Sequence, residues 1–155
     1  MIDYLANHRE LIPVVATWMF ETWGYRRPER TFADYVARVT ARTNIDRLPL
    51  GLVAICGGVP VGTTSLVPFE DTEDAPGPWV SAVFVVPAYR GRGIATALLA
   101  RIEREALRLG ASQLMLGAAV PDFYRRLGFV ATGATKRGDP LMAKQLATPI
   151  ANRDH

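Results

Sequence analysis

One cysteine and two histidines are all that this 155-residue chain holds of the side chains most used for metal binding and nucleophilic catalysis. Cys56 sits in the apolar run "GLVAIC" and has no partner for an internal disulfide, so nothing points to an oxidising compartment. His8 and His155 lie near the chain ends, far from Cys56 in sequence. Cys56 therefore reads as a core residue, and the shortage of ligands argues against a zinc site or any other bound metal. The first ten residues, "MIDYLANHRE", carry an early aspartate and no apolar core, which does not fit a signal peptide. One stretch lacks charge for 22 positions, "LPLGLVAICGGVPVGTTSLVPF" (48–69). Its four glycines and three prolines, with Gly57-Gly58 near the middle, suit a β-hairpin better than a membrane span. A cytoplasmic protein without a membrane partner is expected.

What the chain does have is an ordinary globular composition, 49% apolar and 21% charged. Its length fits a single domain, 1–155, burying roughly 70% of its unfolded surface. The net charge of +3 suits a phosphate-bearing ligand without requiring one.

Periodicity predicts a helix over 8–24, with Leu11, Val14, Val15 and Trp18 on one side and Gly24 as a stop. A second helix is predicted over 31–42, capped by Thr31 with Asp34 three positions on. Two strands follow around Gly57-Gly58, then the acidic loop "FEDTEDAPGP" (69–78). "WVSAVFVV" (79–86) is apolar throughout, the pattern of a strand covered on both faces. A helix over 93–109 places Ala95, Leu98, Leu99, Ile102, Ala106 and Leu109 on one side. A strand at 112–116, a short helix at 122–128 and strands at 129–133 and 141–146 complete a mixed α/β sheet.

The segment "VVPAYRGRGIATALL" (85–99) joins the buried strand to the long helix. At a helix start the first N–H groups lack intrahelical partners and carry the positive end of the dipole. Gly91 and Gly93 bare that backbone, while Arg90 and Arg92 add fixed charge. Together they make a phosphate cradle. It is neither a G-x-x-x-x-G-K-[ST] loop nor a complete G-x-G-x-x-G fingerprint, since Thr96 stands where the third glycine belongs. Arg90, Gly93 and Ala95 fit R/Q-x-x-G-x-G/A, preceded by V-x-V-x-P at Val83, Val85 and Pro87. "FYRRLGF" (123–129) follows about thirty residues later. This combination resembles the GNAT superfamily of acyl-CoA-dependent N-acyltransferases over nearly the whole chain.

The resemblance implies a central, mostly antiparallel sheet with a splayed strand pair, flanked by about four helices. It implies acetyl-CoA as co-substrate, held by the backbone of Val83, Phe84 and Val85 and by the loop Arg90, Gly91, Arg92, Gly93, Ile94, Ala95 and Thr96. Tyr124 matches the tyrosine that protonates the departing thiolate. A phenol of pKa ~10 keeps its proton at neutral pH, and the thiol it serves has a pKa near ~8.5. Many relatives carry a glutamate base nine residues before the loop arginine; here Ser81 stands there, and its hydroxyl is suited to ordering a water relay. "GAAVP" (117–121) likewise lacks polar side chains. The base is left among Glu21, Glu70 and Asp71.

In this family the first two helices and the loop before the central strand line the acceptor cleft. Trp18, Trp23, Glu70 and Asp71 fall there and suit a cationic amine. The expected activity is direct transfer of an acetyl group to a primary amine on a small molecule or peptide. The alternative is a regulatory module that binds acyl-CoA without transferring from it, which the missing glutamate would favour. Nucleic acid is not an expected partner, because Arg101, Arg104 and Arg108 decorate a helix without interleaved aromatics. Monomer and homodimer both remain open.

Overall fold

The computed structural model describes residues 1–68 and 77–146, so most of the acidic connection 69–78, with Glu70 and Asp71, lies outside the described residues. Seven strands build one sheet: β1 (Ile2–Tyr4), β2 (Leu50–Cys56), β3 (Val59–Val67), β4 (Trp79–Val85), β5 (Gln113–Gly117), β6 (Val130–Lys136) and β7 (Asp139–Gln145). Their spatial order is β1-β2-β3-β4-β5-β7-β6, and each pair is antiparallel except β4–β5. Helices α1 (Ile12–Trp23), α2 (Phe32–Thr40), α3 (Ile94–Arg108) and α4 (Pro121–Arg126) flank it.

Most expected elements are present, with shifted ends. The first helix begins at Ile12 rather than near His8, because Pro13 is tolerated only in a first turn. The residues before it form two short 3₁₀ turns. The Thr31 cap is realised in full: its hydroxyl accepts from the Asp34 N–H, and the Asp34 carboxylate accepts from the Thr31 N–H. Gly57 and Gly58 both take positive φ (56° and 80°), as a two-residue hairpin turn requires. The last two strands run closer together than expected. Arg137 adopts φ 52° beside Gly138 at 84°, which closes a tight turn between the two strands. Strand β1 was not expected at all, since three residues are too few to show alternation.

The sheet separates two cores by simple alternation along β2. Leu50, Leu52 and Ala54 pack with Leu98, Leu99, Ile102 and Ala106 of α3. Val53, between them, faces the opposite way and packs with α1 and α2 through Val15, Ala16, Met19, Tyr35 and Val39.

Two irregularities set the site. Strands β4 and β5 share one pairing, Trp79 with Met115, and diverge beyond it. Helix α3 packs on β2, β3, β4 and β5 and so spans both sides of that gap. In β4, pairing with β3 jumps from Ser81–Ser65 to Phe84–Thr63, and Ala82 takes φ 61°. This is a β-bulge, which bends a strand and re-aims its side chains.

Glu105 of α3 ties β1 to the core. Only 5% exposed, it accepts from Tyr4 Oη (2.8 Å), Arg101 Nε (2.9 Å) and Arg108 Nε (2.9 Å). Burial alone would raise its pKa, but the hydrogen bonds from Arg101, Tyr4 and Arg108 outweigh that and hold it below the ordinary value. A lowered folded-state pKa gives stabilisation that is complete above about pH 4.3 and is lost as pH falls toward the folded value. Glu105→Ala should therefore cost about 2–3 kcal/mol at pH 7. The difference from the unsubstituted protein should shrink at pH 3–4 in urea unfolding; an unchanged gap would refute the ionic account.

Candidate active site

The segment after β4 makes one 3₁₀ turn, Pro87–Tyr89, and reaches α3 through Arg90–Gly93. Gly91 and Gly93 have φ of 78° and 80°, where L side chains are strained, and a Cβ added at either would meet nothing within 4 Å. The loop therefore presents an open face of bare backbone. Gly93 is the N-cap of α3, and no side chain caps the helix. Its first amides are thus available to an anion at the positive end of the dipole. Ile94, Ala95 and Thr96 supply that first turn. The two arginines are placed by aromatic rings: Arg92 lies 4.9 Å from the Tyr89 ring and Arg90 5.8 Å from Phe84. Arg90 Nε also donates to the Val85 carbonyl at 2.8 Å. That bond gives Arg90 a role the sequence did not suggest, since it fixes the end of β4 beside the cradle.

Alternation decides what β4 offers the gap. Val86 N–H donates to Val61 of β3, so Val85, and Val83 two residues earlier, turn their N–H groups away from β3. They face the side where β5 has diverged. Bare amides at the helix start, cationic side chains and an unpaired strand edge fit a large phosphorylated ligand with an amide-bearing arm.

A cavity of about 280 Å³ opens on the far side of the same stretch. Its floor is β4 at Val80–Val83 and β5 with its exit at Leu116–Val120, where Gly117 and Ala119 leave room. Tyr124 of α4 reaches it, 8% exposed and wedged between Phe123 and Phe129, with ring centroids at 5.1 and 5.9 Å. Among the described residues its hydroxyl has no hydrogen-bond partner. Burial pushes the phenol pKa above its ordinary value. Ser81 is buried in the floor and registers opposite Ser65. Ser65 in turn accepts from Arg42 Nη1 at 3.1 Å.

Not every expected residue reaches the cavity. Trp23 lines it; Trp18 does not, and stacks on Phe84 at 5.2 Å instead. Glu21 is exposed on α1 and is not among the lining residues. The helix explains this: Met19 and Trp23 face the cavity, and two positions from either turns the side chain about 200°. Glu21 therefore lies on the outer surface of α1, away from the cavity lining.

Sequence reasoning missed a basic wall. Arg26, Arg27 and Arg30 enter from the connection between α1 and α2, and Arg38 and Arg42 from α2 and its exit. Lys136 and Arg137 come from the β6–β7 turn. The described lining holds a single carboxylate, Asp139, and it pairs with Arg26 at 3.5 Å. No segment looks unusual by itself; "YRRPER", "ARVTAR" and "TKRG" become one surface only when the hairpin and α2 meet over β4.

The Acetyltransferase (GNAT) family model matches residues 12–129. Among solved structures, an aminoglycoside 6′-acetyltransferase type Ii is 20% identical with a TM-score of 0.75, over 96% of this chain and 99% of that one. An aminoglycoside 6′-N-acetyltransferase from Enterococcus faecium is 18% identical with a TM-score of 0.73, over 96% and 98%. A PaiA N-acetyltransferase from Thermoplasma acidophilum, determined with coenzyme A, is 18% identical with a TM-score of 0.66, over 94% and 99%. At these identities the likeness is one of fold. No curated protein matches the sequence.

Proposed function

The chain belongs to the GNAT acetyltransferase family, and from that premise we propose that it moves an acetyl group from acetyl-CoA to a primary amine by direct attack. The observation that carries this reading is the alignment of three features around the β4–β5 gap: an uncapped helix start at Gly93, the free edge of β4, and Tyr124 at the cavity beyond. Coenzyme A in the complexes of two similar structures supports the choice of co-substrate.

Acetyl-CoA supplies an activated thioester. The amides of Gly91 to Thr96, with Arg90 and Arg92, would hold its phosphates, and the backbone of Val83 to Val85 its amide arm. The acceptor nitrogen gains a bond to the acetyl carbon, the carbon–sulfur bond breaks, and Tyr124 gives its phenolic proton to sulfur before recovering one from solvent. The amine must also release a proton. For an amine of pKa ~10.4 this costs about 4–5 kcal/mol at pH 7, against about 1 for one near ~8. Ser81 stands where a base would, so a water held at its hydroxyl is the proposed exit for that proton. A positively charged acceptor, as Trp18, Trp23, Glu70 and Asp71 suggested, remains part of this reading as one class to be assayed.

A module that binds acyl-CoA without catalysis is favoured by one observation, that the only described carboxylate on the cavity is tied to Arg26. Thiol release from acetyl-CoA against a broad amine panel separates the two. Turnover dependent on an amine supports the enzyme. Coenzyme-dependent thermal stabilisation of several degrees with no thiol release from any amine supports the module.

A further inference from the structure

Resting on the transferase reading, we infer that the donor site takes propionyl and butyryl groups as well as acetyl, and that Gly117 makes the room. Strand β5 runs parallel to β4 and registers with it at Trp79–Met115, whose side chains share one face of the sheet. Ser81 and Gly117 each lie two residues further on, so they turn to that same face from opposite sides of the opening gap. The cradle for the phosphates lies past the C-terminal end of β4. A donor arm laid along the strand therefore runs from Val85 back toward Ser81, into the narrow end of the gap. Its acyl group arrives between Ser81 and Gly117, on the cavity that Tyr124 also lines.

Neither backbone nor packing asks for a glycine at 117. Its φ lies outside the left-handed region, and among the described residues a Cβ there would meet only Leu141 Cδ2, at 4.0 Å. Gly62 of β3 is different, since a Cβ there would come within 2.9 Å of the Phe84 carbonyl. A strand glycine free of both needs fits a place where a ligand comes close. The surroundings are aliphatic: Ala82 and Val83 stand on the β4 side, Ala119 and Val120 past β5, and Val120 is 60% exposed. No side chain of 117–121 can donate or accept a hydrogen bond, so this wall offers a polar acceptor nothing to hold. Methylenes added to the acyl chain would lie against it and exclude water. The bond changes are those of acetyl transfer. The acceptor nitrogen gains the acyl carbon and gives its proton to solvent, the carbon–sulfur bond breaks, and coenzyme A leaves as the protonated thiol.

The test titrates coenzyme A, acetyl-CoA, propionyl-CoA and butyryl-CoA into the protein by calorimetry, without an acceptor. Burying one methylene tightens binding about 4-fold, so Kd should fall by about that factor at each step from acetyl to butyryl. Affinities are taken relative to free coenzyme A, so a general loss of binding cancels. Gly117→Ala should abolish the butyryl step, and Gly117→Val both steps. If circular dichroism shows the valine variant unfolded, the alanine variant decides. Where the amine panel yields an acceptor, kcat/KM should rise along the same series. A ladder shallower than about 2-fold per methylene, or one that the glycine variants leave untouched, overturns the inference. So does a response of the variants to the bulk of the amine rather than of the donor, because the room then belongs to the acceptor. If no amine is acylated but the ladder holds and collapses in the variants, transfer fails and the acyl site stands. If amines are acetylated and the longer donors are refused, transfer stands and this inference falls.

Discussion

Gly93→Val should leave a folded protein that has lost at least 100-fold in affinity for coenzyme A. The free chain has room for the side chain, since nothing lies within 4 Å of a Cβ placed there. Steric clash inside the protein is therefore not the cause. The open space is the space a phosphate would fill, and a branched side chain over it keeps the first amides of α3 from reaching an anion. Two lost charge-assisted hydrogen bonds at about 1.5–3 kcal/mol each amount to roughly 3–6 kcal/mol, or about two to four orders of magnitude in Kd. The φ of 80° adds a separate cost of about 1–2 kcal/mol to stability, which Gly93→Ala should share without most of the binding defect. Calorimetric titration with coenzyme A, alongside circular dichroism, reads both effects. Near-normal affinity in folded Gly93→Val protein would mean that the phosphates bind elsewhere.

Tyr124→Phe should lower kcat about 100-fold and leave the acetyl-CoA KM nearly unchanged. General acid catalysis is worth about 10²–10⁴, and only the hydroxyl is removed. The ring between Phe123 and Phe129 remains, and among the described residues the hydroxyl has no hydrogen-bond partner to lose. Thermal stability should thus stay within about 1 kcal/mol. Because burial raises the phenol pKa, the proton is held to higher pH than in a free tyrosine. The kcat profile should accordingly show no fall attributable to this group below about pH 10. A variant with unaltered kcat would show that the thiolate departs without a proton from Tyr124.

Much of this site can be read from the chain before folding, because its parts are local. The cradle needs only glycines, arginines and a helix start within a few residues, and Tyr124 sits in a contiguous motif. The wall of the cavity is different. Arg30, Arg42 and Arg137 are far apart in sequence, and nothing in their separate neighbourhoods says that they converge. Glu21 shows a related limit: its place on α1 is legible in the sequence, but its phase on the helix, away from the face that Met19 and Trp23 turn to the cavity, is not. The late hairpin escaped notice because an arginine, rather than an asparagine or glycine, takes the first left-handed position of its turn. Fold elements stood out where periodicity was long, as in α3, and were lost where it was short, as in β1.

The gap between β4 and β5 has a consequence for how the molecule holds together. One residue pair joins strands β1–β4 to strands β5–β7 through the backbone, and α3 straps the two halves across the join. Whatever settles at the first turn of that strap, and along the bare edge beneath it, is mortar as well as reagent. Its binding free energy is added to the cohesion of the whole sheet, so the protein is tightest when charged with donor and loosens each time the spent carrier departs.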